Sequence, residues 1–84
     1  MRPAMTYVYL LQSVRTPAAR YIGRTENLRA RLSDHNASRS VHTARFRPWD
    51  LISYHAFADP RRAAAFEHYL KSGSGRAFAN KRLW

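Results

Sequence analysis

The chain has 84 residues, with 15 Lys+Arg against 5 Asp+Glu, a net charge of +10 and no cysteine. That length leaves room for one domain, which buries only about 60% of its unfolded surface and builds a thin core that any active site must share. Disulfides and thiolate metal sites are excluded, the four histidines form no HExxH spacing, and no stretch approaches the ~20 apolar residues of a membrane span, so zinc and membrane roles are set aside and a cytoplasmic protein is expected.

The first apolar stretch, Tyr7 to Leu11, is rich in aromatic and β-branched residues and reads as a strand covered on both faces. Under strict alternation Tyr7, Tyr9 and Leu11 share one of those faces. Residues 13–19 carry a proline and no periodicity, and Arg20 to Gly23 resume a short strand, so the connection implies an antiparallel hairpin. Helical spacing follows over residues 26–36, with Leu28 and Leu32 four apart and Thr25 or Asn27 as the N-cap. Residues 37–48 hold Ser38, Arg39, Ser40, His42, Arg45 and Arg47 and read as an exposed basic loop able to close over a ligand. Leu51 to Phe57 form a third strand. Asp59-Pro60 is a helix start, and the helix runs to Lys71 before Ser72-Gly73-Ser74-Gly75 ends it. A last helix is expected over residues 75–82, carrying Arg76, Asn80, Lys81 and Arg82. The fold expected is α/β of the α+β kind: a small three-stranded antiparallel sheet flanked by helices, in the order β-β-α-β-α with a short C-terminal helix, forming one domain.

The basic residues are spread along the chain instead of forming a terminal block, which suits a folded surface facing phosphates. Arginine outnumbers lysine 13 to 2, a balance that favours bidentate phosphate contacts and that coding composition also produces. The partner indicated is nucleic acid, with a non-specifically basic, ribosome-associated protein as the plain alternative. Arg31 and His35 border the stripe formed by Leu28 and Leu32 and, four apart, reach one patch. Glu67 lies about 100° from Phe66 around the second long helix, at the edge of its apolar face. Each of these residues also has an ordinary reading. Tyrosines in small sheets are usually core with the hydroxyl at the rim. Glu67 and Lys71 make a standard i,i+4 surface pair, Arg31 can snorkel over Leu28, and His35 suits a helix C-terminus.

The order Tyr7-Val8-Tyr9, Tyr21-Ile22-Gly23, then Asn27-Leu28 and Arg31-Leu32 with His35, then Glu67, resembles the GIY-YIG nuclease superfamily. It is most similar to the short standalone bacterial members and to the catalytic module of excision-repair and structure-specific nucleases. The likeness runs from Tyr7 to Leu83, with Arg31 ten residues after Tyr21 as in the family. The resemblance implies Tyr9, Tyr21, Arg31 and His35 as catalytic residues and Glu67 as the ligand of one Mg2+ or Mn2+ ion. It further implies hydrolysis of phosphodiester bonds in DNA, in preference to RNA, with single-stranded or structured substrates. On that mechanism Tyr9 deprotonates water, which requires nearby positive charge to lower its pKa. Tyr21 and His35 orient the water or take the proton onward, and Arg31 neutralises phosphoryl charge. Arg24, Arg39, Arg45, Arg47, Lys71, Arg76, Asn80, Lys81 and Arg82 would grip the backbone. Asn80 falls where many members carry a late asparagine. Tyr7 stands in place of the first glycine of the GIY tripeptide, a position the short members relax. A module this small has little surface for base readout, so a protein partner would supply specificity. The alternative in another class is a nucleic-acid-binding module that keeps this fold and cuts nothing.

Overall fold

Val8 to Leu11 have no polar side chain to spare for solvent except the Tyr9 hydroxyl, and the strand that carries them is covered on both sides. A computed structural model describes residues 4–37 and 42–84. Strands β1 (Thr6–Ser13), β2 (Arg20–Thr25) and β3 (Trp49–Phe57) form an antiparallel sheet in the order β2-β1-β3, so β1 is central and the other two are edges. Helices α1 (Leu28–Asn36), α2 (Pro60–Leu70) and α3 (Gly73–Arg82) and a 3-10 turn at Ala44–Phe46 complete it. The expected sheet, helix order and antiparallel pairing are those observed.

Alternation along β1 divides the interior into two layers. Val8 and Leu10 pack with Ala63, Leu70 and Ala79 beneath α2 and α3, joined by Ile22, Phe57 and Phe66. Tyr9, Leu11 and Trp49 form the other layer with Tyr21, Leu28, Leu32 and Phe46. Each fully buried leucine contributes roughly 1.5–3 kcal/mol, so both layers are needed in a domain this thin. A register shift between Leu10 and Leu11, which pair with Ser53 and Leu51, leaves Ile52 as an extra residue in β3.

The capping residues place the helices. Of the two candidate caps for α1, Asn27 is the cap, its side chain accepting from the Ala30 N–H at 3.1 Å, while Thr25 Oγ1 accepts from the Asn27 N–H. Asp59 Oδ1 accepts from the Arg61 N–H at 2.9 Å, and Pro60 opens α2 as expected. The segment after α2 was expected to separate two helices and to release the second at residue 75. Instead Ser72 caps α3, which starts at Gly73, because the Ser72 hydroxyl accepts from the Gly75 N–H at 3.2 Å. Gly75 makes that corner possible: a Cβ there would run into the Tyr69 carbonyl and come within 2.8 Å of Leu70 Cα.

Two further expectations are corrected. His35, placed by spacing at the border of the α1 stripe, is the one buried residue of that helix, and Leu28 and Leu32 are only half-buried. The interior accepts the imidazole because both its ring nitrogens find partners there. The loop over residues 37–48 is not exposed throughout. Thr43 is 1% exposed, and its carbonyl accepts from the Trp49 indole N–H at 2.8 Å. Asn36 holds the Trp49 backbone from both sides, accepting from its N–H at 2.6 Å and donating to its carbonyl at 3.3 Å. Arg39 lies outside the described residues.

The two glycines of the α2–α3 corner should respond oppositely to alanine. Gly75→Ala must displace backbone and should lower stability by about 1–3 kcal/mol in chemical denaturation. Nothing lies within 4 Å of a Cβ at Gly73, so Gly73→Ala should be neutral or stabilise by roughly 0.4–1 kcal/mol.

Candidate active site

Sheet register sets the heart of the site. Tyr9 stands opposite Gly23, and Leu11 opposite Tyr21, so the two tyrosines of the tripeptides project from neighbouring strands onto the α1 face, with ring centroids 6.1 Å apart. The Tyr9 ring crosses Gly23 so closely that a Cβ there would lie 2.5 Å from the Tyr9 hydroxyl and 2.8 Å from Tyr21 Cε2. Any side chain at position 23 would evict the phenol. The glycine of the second tripeptide is therefore a space requirement.

The Tyr9 hydroxyl meets His35 Nε2 at 2.9 Å, and His35 Nδ1 meets Thr43 Oγ1 at 2.5 Å. Tyr21 packs on the same imidazole at 4.9 Å between centroids. Tyr9 and His35 are 1% and 0% exposed. Burial pushes the Tyr9 phenol up to about 12, and the Arg31 guanidinium beside it, which pulls downward, does not offset that. This corrects the expectation of a lowered tyrosine: before substrate arrives, Tyr9 holds its proton at neutral pH. The same neighbourhood, through its contact with the Tyr9 hydroxyl first of all, raises Arg31 above its ordinary value. His35 is lowered, by burial first and by the Arg31 charge second, so it stays neutral at pH 7. A neutral imidazole carries one N–H, and donation from Nδ1 to Thr43 leaves Nε2 free to accept from Tyr9.

Arg31 is partly exposed and lies 3.9 Å from Asp34, its carboxylate neighbour one turn on. The structure thus brings Tyr9, Tyr21, Arg31 and His35 together on one face of the sheet. Glu67 comes from α2, on the other face. Its Oε2 accepts from Lys71 Nζ at 3.0 Å, and its Oε1 lies 3.6 Å from Arg24 Nε. Arg24 follows Gly23 in edge strand β2, so the Glu67 partner and the residue under the Tyr9 hydroxyl are consecutive in that strand. No three His, Cys, Asp or Glu side chains gather among the described residues. A lone carboxylate suits a hard cation whose remaining ligands are waters and phosphate oxygens, and does not suit zinc. Glu67 fits such a role once Lys71 or Arg24 yields an oxygen.

Of the proposed backbone contacts, Arg24 is paired with Glu67, and most of the others fall into two groups. Arg45 and Arg47, with Arg15 and Asn36, line a recess of about 350 Å³. Lys71, Arg76 and Asn80 line a larger groove that Tyr21 also borders, and Lys81 and Arg82 are exposed in the last turn of α3. Sequence reasoning missed Thr43, which looks like any polar loop residue, and Arg20, whose side chain donates to Asn80 Oδ1 at 3.0 Å. Only the position of Arg20 directly before Tyr21 hinted at it. No helix among the described residues is long and apolar enough to cross a membrane.

The chain is 36% identical over 78 residues to the structure-specific endonuclease subunit SLX1 of Debaryomyces hansenii, an alignment covering 84% of this chain and 22% of that protein. The chain therefore spans about a fifth of the length of that relative. The GIY-YIG catalytic domain matches residues 5–82, which takes in the tyrosine pair, Arg31, His35 and Glu67 alike. The protein belongs to the GIY-YIG catalytic domain family.

Proposed function

We propose that this chain is a metal-dependent endonuclease that hydrolyses phosphodiester bonds in DNA, acting on branched or single-stranded elements. The observation that carries the reading is the buried chain from Tyr9 through His35 to Thr43, with Tyr21 and Arg31 at the same hydroxyl. A core built only for packing would place apolar groups there, since buried polar atoms stabilise nothing unless paired. The Debaryomyces hansenii relative is a subunit of a structure-specific endonuclease, which supports a structured DNA substrate and a partner subunit here.

On this reading the attacking water gives its proton to the Tyr9 oxygen as the Tyr9 proton passes to His35 Nε2. The water oxygen bonds to phosphorus, and the opposite P–O bond breaks. Because Tyr9 is held near 12, the transfer to His35 is what makes it a usable base at neutral pH. Thr43 fixes the imidazole so that Nε2 faces the phenol. Arg31 stabilises charge on the phosphoryl oxygens, and the phosphate in turn reduces the Arg31 field that disfavours a protonated His35. Glu67 would hold one Mg2+ or Mn2+, which when bound supplies Lewis-acid polarisation of the phosphate and stabilises the leaving oxygen. The double ion pairing of Glu67 supports a second reading, a module that binds without cutting.

Cleavage of a labelled panel of single-stranded, duplex and branched DNA with Mg2+, Mn2+ or EDTA decides between them. Glu67→Ala should abolish cleavage and leave folding and DNA binding intact. Tyr9→Phe, which removes only a hydroxyl, should slow the chemical step by about 10²–10⁴, and Arg31→Ala by about 10²–10³. Metal-dependent cutting that survives both Glu67→Ala and Tyr9→Phe would show the site to be misplaced.

The rate should also depend on pH in a defined direction. His35 must be neutral to accept a proton, and its folded value lies below 6.5, so activity should be flat above that value and fall as pH drops through the depressed one. His35→Gln should remove this acid limb. His55 is likewise lowered by burial but lies against Phe66 in the other layer, so His55→Gln should leave the limb in place.

Binding should be steeply salt-dependent and nearly indifferent to sequence, because distributed arginines meet phosphates. Each lost contact should reduce the slope of log K against log salt by roughly 0.7–0.9. An affinity unchanged by a fourfold rise in salt would refute the electrostatic account.

A further inference from the structure

Between edge strand β2 and helix α3 runs a groove of about 560 Å³ bordered by Arg20, Tyr21, Lys71, Arg76, Asn80 and Trp84. Three of these residues are cations, and no Asp or Glu side chain lines the groove. Tyr21 is a shared wall: it borders this groove and also packs on His35 in the catalytic cluster. Arg20 is exposed yet held at two points. One of its N–H groups donates to Asn80 Oδ1 at 3.0 Å, and its guanidinium lies 4.6 Å from the centroid of the Trp84 ring. Trp84 in turn rests on the core beneath α2 and α3, so its ring is a fixed platform for the guanidinium. A guanidinium has five N–H donors, and the contact with Asn80 uses one, leaving a rigid fork for a phosphate.

The geometry points to a second binding site in this groove for the phosphodiester of an unpaired strand, with Arg20 as its clamp and Asn80 and Trp84 as positioning residues. The volume is that of a pocket for one small-molecule-sized group, roughly 300–1,000 Å³, which suits one nucleotide backbone at a time. A basic groove that follows one backbone beside aromatic residues is how unpaired strands are held without regard to sequence. Because Tyr21 separates the groove from the Tyr9 hydroxyl, the strand bound there runs directly away from the proposed scissile phosphate. Duplex phosphates would meet the exposed arginines of the outer surface instead. The assignment rests on the nuclease reading for its orientation, though not for the binding itself.

Binding is measured on the full chain in EDTA, so that no cutting intervenes, with fluorescein-labelled single-stranded DNA and a blunt duplex of the same sequence. Arg20→Ala should weaken single-strand binding about tenfold and duplex binding less than twofold. Arg62→Ala removes the same charge from an exposed position on α2 outside the groove and should change both by less than twofold. Asn80→Ala leaves the core untouched and should reproduce part of the Arg20→Ala loss. Asn80→Ala added to Arg20→Ala should cost nothing more, because its effect passes through the guanidinium. Arg20→Lys keeps the charge without the planar fork and should recover less than half of the loss. Equal losses on both DNAs, a loss no greater than that of Arg62→Ala, or full rescue by lysine would overturn the proposal. A protein that shows the expected discrimination in EDTA and cuts nothing with Mg2+ or Mn2+ would overturn the nuclease reading and leave the groove standing.

Discussion

The Tyr9 hydroxyl and the His35 imidazole are removed from solvent in one layer of a two-layer core, where each would destabilise the domain if left without a partner. They are paired with one another, and the imidazole is paired again with Thr43, so that no buried side-chain nitrogen or oxygen among the described residues lacks a partner. Much of the surrounding structure follows from that closure. Thr43 must be drawn inward, which the Trp49 indole does by donating to its carbonyl, and Trp49 must be fixed, which Asn36 does from the last turn of α1. Gly23 must have no side chain, or the phenol could not lie across β2. The groups suited to proton transfer are thereby the groups that join β1, β2, α1 and the turn before β3. In a domain of 84 residues the atoms proposed for catalysis are also the atoms that join the fold.

The topology brings side chains from opposite faces of the sheet to a common edge. β1 is the middle strand and carries Tyr9, whereas β2 is an edge. Tyr21 and Gly23 look toward α1, while Arg20, Ile22 and Arg24 look toward α2 and α3, where Arg24 meets Glu67 and Arg20 meets Asn80. An edge strand gives side chains from its two faces a common rim, which a central strand does not. The exposed edge is also a hazard for aggregation, and the arginines along it are the kind of residue that discourages strand pairing. One set of cations thus discourages pairing at the edge and, on the proposed function, meets phosphate.

Local signals were enough to read the fold. An aromatic and β-branched run marked β1, the 3.6 period marked α1, and Asp59-Pro60 marked the start of α2, because those patterns depend on neighbours within a turn or two. The Ser72 to Gly75 segment was misread because its residues suit a stop as well as a start. Only the approach of Gly75 to the Tyr69 carbonyl shows why the second helix begins at once. Of the site, the tyrosine pair, Arg31, His35 and Glu67 were named from the order of residues and a family likeness, and periodicity alone would have left each with its ordinary reading.

The sequence by itself determined the element types, the sheet of three strands and the strong positive charge, since propensity, capping and composition act at short range or require no geometry. Tertiary structure decided which polar groups meet: Tyr9 with His35 across 26 positions, Arg20 with Asn80 across 60, and Glu67 with Arg24 from a different element. It also decided the state of those groups. The direction of the Tyr9 shift is set by how much water burial removes against how much charge Arg31 supplies, and desolvation is the larger effect. Exclusion of water is a property of the packed layers, which no pattern of neighbouring residues encodes.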